Sequence, residues 1–467
     1  MLDNVKEADG TVEVHIDPDK LKAYMLIRRP SGNGRKCSRD EAMKALSDKR
    51  VVFGINEGQV QEALQENNWE RKILVAEGTP PIDGIDAQLE FAFQSQSSIQ
   101  PKMDEAGKAD FHNLGIVNNV RKGDLLVTKV PSRPGVPGAD VHGNKVPPRV
   151  AKDKTLPRGK NTVADNDGIH LYAAVDGHMS FSGNKIDINP VFHVAGDVDY
   201  SSGNIEFIGS VIVKGNVTTG FKIQAGGDID VQGSVQSADV IAQGSITVKG
   251  GINGKMKGRV AAGNNVIARF IENAVVEAGS NVLAKEAIIQ SQIKAGNSVK
   301  VSDNKAIIVG GVIQAAEVVE SKVLGSQLAT QTVVEVGVNP YIREEYHNLV
   351  QKQTAKNKEF QNISHNLQVY NNSGIAVENL TEKKKQVLIK LLDVYTVLRN
   401  ELQEIQGRLE FLEKEMKRFQ TAEVRVMDVA YPGVRITIGE QVYVINDPMK
   451  YCRFVSDNGE IRTAALR

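Results

Sequence analysis

The sequence predicts a mainly β protein with α segments: a right-handed parallel β-helix with an N-terminal α+β domain and an antiparallel coiled-coil hairpin. Three observations predict it. A glycine beat recurs through the middle of the chain, residues between the beats alternate in polarity, and the spacing changes to heptads after Pro340.

The beat reads Gly, one or two small polar residues, then a β-branched residue. It returns at Gly209, Gly227, Gly244, Gly263, Gly279 and Gly296, in steps of 18, 17, 19, 16 and 17 residues. Within each step a second punctuation falls at Gly215-Asn-Val217, Gly233-Ser-Val235 and Gly250-Gly-Ile252. Alternation such as Ile229 and Val231 against Asp228 and Asp230 puts the β-branched side chains on one face of a strand. At ~3.3 Å per residue, 17 residues make a perimeter of about 55 Å, a flattened or triangular turn. Stacked turns become parallel strands, with Gly, Asn and Asp expected at corners that need φ > 0. Steps of 16 to 19 break the strict hexapeptide rule of left-handed helices, and parallel crossovers are right-handed by default.

The other elements follow in order. Residues 1–110 read as an N-terminal α+β domain. Thr11–Ile16 alternates, a helix from Arg39 to Leu46 starts on a capping box of Ser38 and Glu41, a second spans about 57–66, and strands follow at 72–76 and 88–94. Residues 111–190 are short strands broken by Gly and Pro, including a hairpin at Val175–Phe181, and are expected to cover the N-terminal mouth of the β-helix. The β-helix itself occupies 191–340.

Residues 341–420 carry two heptad seams. The first runs Ile342, Tyr346, Leu349, Gln353, Lys356, Phe360, Ile363, Leu367, Tyr370; the second runs Leu388, Leu391, Tyr395, Leu398, Leu402, Ile405, Leu409, Leu412, Met416, Phe419. Asn371-Asn-Ser-Gly374 separates them. The second arm, 381–420, is ten residues longer than the first, so part of its seam is left for a second subunit. Leu391, Leu398, Leu402, Ile405, Leu409, Leu412, Met416 and Phe419 are the expected oligomerisation residues, and charge at Leu402 and Leu409 is expected to dissociate the assembly. Residues 421–467 supply strands at 434–438, 441–445 and 453–455 that return to the β-helix.

Composition bounds the function. Lys+Arg and Asp+Glu are both 57 in 467 residues, so no net field draws the chain to nucleic acid or an anionic membrane. Cys37 and Cys452 stand far apart, outside any Cys-x-x-Cys, which fits a reducing cytoplasm. The N-terminus MLDNVKEADG lacks a signal-peptide pattern, and no apolar run approaches 18 residues, so direct membrane insertion is not expected. Aromatics are 5%, too few for the stacking platforms of sugar or single-strand sites.

Candidate chemistry is sparse. Asp197 and Asp199, with Glu206 nearby, could pair as ion ligands or as acid and base, although carboxylates in such turns are usually corner formers. His142, His170, His178 and His193 lack the spacing of a zinc site. No phosphate-loop motif occurs among the glycines, and the basic clusters at Lys255, Lys257, Arg259 and at Lys383–Lys385 lack interleaved aromatics. No catalytic residue, metal or cofactor is expected.

Ala76-Glu-Gly-Thr-Pro-Pro-Ile-Asp-Gly84, Gly138-Ala-Asp-Val-His-Gly143, Gly159-Lys-Asn161, Ala174-Val-Asp-Gly177, Gly196-Asp-Val-Asp-Tyr-Ser-Ser-Gly-Asn-Ile205 and Gly325–Gly337, in this order, resemble the bacterial flagellar assembly protein A family. The resemblance implies a cytoplasmic, non-enzymatic scaffold or adaptor in flagellar assembly and motility, at the cell pole. It also implies protein partners, a sugar phosphotransferase IIA component among them. The β-helix is similar to those of polymerising scaffolds such as bactofilins. Two further alternatives stand beside it. A polysaccharide-processing enzyme would need Asp197, Asp199 and Glu206 to act on polyuronates, and a nucleic-acid binder would show salt-dependent retention on DNA.

Overall fold

The structure is a computed structural model that describes residues 7–93, 102–103, 109–110, 112, 114–255, 257–372, 381–416 and 421–466. It contains two compact units. The first holds residues up to 95, 123–174 and 182–186; the second holds 96–122, 175–181 and 187–467. The expected connecting segment 111–190 is therefore divided, most of it belonging to the first unit.

In the first unit, β1 (Thr11–Ile16), β2 (Lys22–Arg28) and β3 (Lys72–Glu77) form an antiparallel sheet in the order β1-β2-β3. Helices α1 (Arg39–Asp48) and α2 (Glu57–Ala63) cover it. The α1 capping box is present: Ser38 Oγ accepts from Glu41 N, and Glu41 Oε2 accepts from Ser38 N at 2.9 Å. Met25, Ile27, Leu46, Val60 and Val75 form the core, joined by Val141 from the Gly138–Gly143 loop. That loop is ordered by buried Asp140, whose carboxylate accepts from His142 N, Asn144 N and Asn144 Nδ2. Burial raises the Asp140 pKa, and the bonds from Asn144 and His142 more than offset this, leaving it below its ordinary value.

The second unit is a β-solenoid of about eight turns, with three parallel columns of strands. One column stacks Val211, Ile229, Ile246, Val266, Val282 and Val299; the second stacks Ile205, Ile223, Val240, Val260, Val276 and Ile293; the third stacks Val217, Val235, Ile252, Ile271 and Ile288. All are buried, so each turn adds three β-branched side chains to one continuous core.

The beat glycines do a different job from the one expected. None of Gly209, Gly227, Gly244, Gly263, Gly279 or Gly296 has positive φ. They are required by close approach, because a Cβ on Gly227 would lie 2.4 Å from Ser210 Oγ, and one on Gly244 would lie 2.2 Å from Asp228 Oδ1. A polar residue one or two positions after each glycine bonds to the next turn, in the ladder Ser210, Asp228, Ser245, Asn265, Asn281, Ser298. Each side chain satisfies a corner N–H or side chain above it, and a larger residue in place of glycine would displace it. Positive φ falls at another corner, on Gly220, Ser237, Lys255, Asn273 and Gln290.

At the N-terminal mouth, Ile116, Val117 and Phe192 pack against the solenoid core. The hairpin expected at Val175–Phe181 is shifted, with strands Gly177–Ser182 and Lys185–Asn189 turning at Gly183. His178 Nδ1 accepts from Asn118 N at 3.1 Å, and its ring meets Phe192 edge-on. Burial lowers the His178 pKa below its ordinary 6.5. The folded mouth therefore favours neutral imidazole, so its stabilisation is complete above pH ~6.5 and is lost as pH falls through the lower folded value. The unfolding midpoint should drop between pH 7.5 and 5.5, and His178→Leu should flatten that slope.

Two helices leave the solenoid after Thr332–Val336: α3 (Pro340–Asn372) and α4 (Glu382–Met416). The chain then resumes the solenoid. Glu423–Ala430 pairs in parallel with Val318–Leu324, and Val434–Ile438 with Thr332–Val336. The helical pair is thus an insertion between two turns. Gln441–Val444, Met449–Asp457 and Glu460–Ala465 close the last turn in antiparallel fashion, with Phe454 fully buried.

Candidate interaction site on the helical arm

The helices run antiparallel. Tyr346 Oη donates to Glu413, Gln353 Nε2 to Gln406 at 2.8 Å, Lys356 Nζ lies 3.1 Å from Glu401, and Phe360 stacks on Tyr395. Gln353 and Lys356, the polar breaks in the first seam, are thus matched by polar partners on α4. Leu398, Ile405, Leu409 and Leu412 are buried. At ~1.5–3 kcal/mol for each buried side chain, they outweigh exposed ion pairs such as Arg408–Glu345, which water screens.

The residues expected to oligomerise also have a place within the hairpin. Leu391, Leu398, Leu402, Ile405, Leu409, Leu412 and Met416 lie on the side of α4 that packs on α3 of the same chain. Among the described residues the arms span 33 and 35 residues. Phe419, Gly374 of the expected break and the end of the expected second arm at 420 lie outside the described residues. Charge at Leu402 or Leu409 should therefore open the hairpin itself.

The arm is clamped at its root. Asn339 Oδ1 accepts from Tyr341 N, an N-cap bond ahead of Pro340 in the first helical position, while Asn339 Nδ2 donates to Gly296 O at 3.1 Å. Tyr341 Oη donates to Ala278 O at 3.1 Å, Lys294 pairs with Glu344 at 2.8 Å, and Arg343 with Glu335 at 2.9 Å. Burial of the Tyr341 phenol pushes its pKa up to about 12. A cleft of about 480 Å³ beside it is lined by Arg259, Glu277, Lys294 and Asn348. Removing the hydroxyl with Tyr341→Phe takes away one of two donors to Ala278 O, which still accepts from Gly296 N at 3.0 Å, and should cost about 0.5–1.5 kcal/mol. Hydrogen exchange should accelerate at residues 340–349 and remain unchanged in the solenoid core.

The other candidates are structural. Asp197 Oδ1 accepts from Asn216 N at 2.7 Å, starting a ladder that continues from Asn216 to Ser234 N. Asp199 Oδ1 accepts from Ser201 Oγ and N, and the Ser201 hydroxyl is the main cause of its lowered pKa. Glu206 is exposed and contributes its backbone oxygen to Asn119. These carboxylates do not converge. His142 bonds Arg50 O, His170 pairs with Asp165 at 2.7 Å, and His193 is exposed. Arg259 pairs with Glu277, and Lys385 with Glu382. No group of three or more His, Cys, Asp or Glu among the described residues could hold a metal.

The sequence matches the flagellar assembly protein A β-solenoid domain over residues 190–461, and the flagellar assembly protein A N-terminal region over residues 12–184. The chain belongs to the flagellar assembly protein A family. The two matched regions follow the chemistry already described: the family's solenoid domain includes the inserted arm and most of the antiparallel closure, and its N-terminal region includes the Gly138–Gly143 loop. Membership in the flagellar assembly protein A family relates this chain to flagellar assembly. No curated protein and no solved structure matches it. No helix among the described residues is long and apolar enough to cross a membrane.

Proposed function

We propose that this member of the flagellar assembly protein A family is a non-enzymatic cytoplasmic scaffold for flagellar assembly and motility. The observation that carries the proposal is the clamped insertion. A stiff solenoid holds a helical arm about 50 Å long, at 1.5 Å per residue, by backbone and side-chain bonds at its root. Such a part serves to present protein surfaces at fixed positions. The scaffold self-associates, works at the cell pole and takes a sugar phosphotransferase IIA component as one partner. Family membership supports a part in flagellar assembly; self-association, the polar position and the IIA partner are the proposal's own. The antiparallel closure speaks against end-to-end polymerisation of the bactofilin kind, because it occupies the strand edge that the next subunit would need.

Deleting the gene should abolish swimming and reduce the number of flagella, and the full chain should restore both. A chain lacking only 341–420 should fail to restore them while keeping its β signal in circular dichroism. Normal motility without the gene ends the scaffold proposal. Capture of a purified IIA component by the purified chain, and polar foci of a fluorescent fusion, test the finer assignments separately.

A further inference from the structure

Two Pro- and Gly-rich segments of the first unit, 79–85 and 133–139, lie side by side and bond with a period of three. Thr79 exchanges both backbone bonds with Ala139, Ile82 with Val136, and Ile85 with Arg133, at 2.9–3.0 Å. A third segment joins with the same period, since Asp83 Oδ1 accepts from Arg149 N and Asp86 Oδ1 from Lys152 N, each at 2.9 Å. Three residues per turn is the period of a polyproline-type strand, so every third side chain shares a face. Gly78, Gly84 and Gly138 turn inward, where a Cβ would lie 2.4, 2.9 and 2.1 Å from Ala139 O, Ala151 Cβ and Thr79 O. Ile82, Ile85 and Val136 turn outward and are 67%, 56% and 57% exposed.

This outward row has a cation at each end. Arg133 stands opposite Ile85 at one end, and at the other Lys145 pairs with Ala139 on a short antiparallel ribbon, where cross-strand neighbours share a face. Both side chains are exposed. Residues 121–160 hold ten basic and three acidic side chains in a chain that is neutral overall. Lys129 and Arg149 are paired with Asp153 and Asp86, whereas Lys122, Arg133, Lys145, Lys152, Lys154 and Arg158 make no ion pair among the described residues.

We infer that this face of the first unit docks an acidic segment of a partner protein, whose apolar side chains lie on Ile82, Ile85 and Val136 while its carboxylates reach Arg133 and Lys145. The six residues from Arg133 to Ala139 span about 19 Å at ~3.1 Å per residue, which sets the separation of those carboxylates. The backbone ladder fixes the row before any partner arrives, so little ordering entropy on this side opposes docking. The local charge turns away a basic partner. A lipid surface fits less well, because interfacial contacts rely on Trp, Phe and Leu and this row holds short β-branched side chains. The inference rests on the scaffold proposal and deepens it by naming the chemistry of one partner and the surface that receives it.

Peptides selected on the full chain from a displayed random library should be rich in Asp and Glu around Val, Ile or Leu. The double variant Arg133→Glu, Lys145→Glu should weaken a selected peptide at least tenfold, and so should Ile82→Ser, Val136→Ser. All four side chains are exposed, so melting midpoints should hold within about 2 °C. The same peptide with its acidic residues changed to Lys should prefer the Arg133→Glu, Lys145→Glu chain to the wild type. A selection that yields no peptide, or neutral or basic ones, overturns the docking face, as do acidic peptides indifferent to both double variants. Vesicles of equimolar phosphatidylcholine and phosphatidylglycerol that bind through these same residues, with no acidic peptide selected, assign the face to lipid and overturn it as well. Motility restored by the full chain keeps the scaffold proposal alive even then, so the two failures are distinguishable.

Discussion

Phe454→Ala should lower the stability of the second unit by about 3–5 kcal/mol and make the protein self-associate through its exposed solenoid end. The ring is fully buried, meets Tyr443 at 5.5 Å, and sits on the strand Met449–Asp457 that pairs with the last turn at Val424. Truncating a buried phenylalanine costs that much through lost burial and the cavity left behind. Here the loss falls on the element that covers the open edge of Glu423–Ala430. Loosening it exposes unpaired N–H and C=O groups beside an apolar interior. Denaturant unfolding should show an earlier midpoint, and light scattering should rise with protein concentration. Lys450→Ala, an exposed change on the same strand, should stay within ~0.5 kcal/mol. A Phe454→Ala protein with an unshifted midpoint and no scattering would mean that this strand does not seal the end.

Gly279→Ala should be nearly as severe despite adding one methyl group. Its Cβ would lie 1.9 Å from Gly263 O, a backbone atom that cannot swing aside. The same stacking continues one turn on, where a Cβ on Gly296 would lie 1.8 Å from Gly279 O. Separating one pair therefore strains the turns on both sides. Overpacking of this kind costs ~1–3 kcal/mol and sometimes more. In a unit of this size that is roughly 2–4 °C in melting midpoint for each kcal/mol. Gly196→Ala is the control, because a Cβ there meets nothing within 4 Å and its φ is not positive. Equal midpoints for the two variants would show that the beat glycines are not held by close approach.

The solenoid was legible because its signal is redundant. A β-branched residue in a column is repeated about every 17 residues, and the small polar residue before it bonds to its counterpart one turn away. The heptad seams were legible for a similar reason: positions such as Leu398, Ile405 and Leu412 recur at one spacing and all face one way. What was missed lacks such repetition. The left-handed corner is taken by Ser237, Lys255, Asn273 and Gln290, four residue types with no composition in common. β2 reads Lys-Ala-Tyr-Met-Leu-Ile-Arg, where successive buried residues Met25, Leu26 and Ile27 hide the alternation. Glu423–Ala430 escaped because its register shifts between Val426 and Val429. The carboxylates Asp197 and Asp199 show why residue type alone is a poor guide to a site: spacing placed them together, and their hydrogen bonds turn each to a separate backbone task.

The insertion also sets an order of events during synthesis. The chain leaves the solenoid at Val336 and comes back at Glu423. Closing so long an excursion as a flexible loop would cost about 4 kcal/mol in chain entropy. A folded antiparallel hairpin delivers its own ends close together and lightens that cost. Until both helices have left the ribosome and zipped, the nascent molecule is unfinished at its far end, and a chaperone would find its opportunity in that interval.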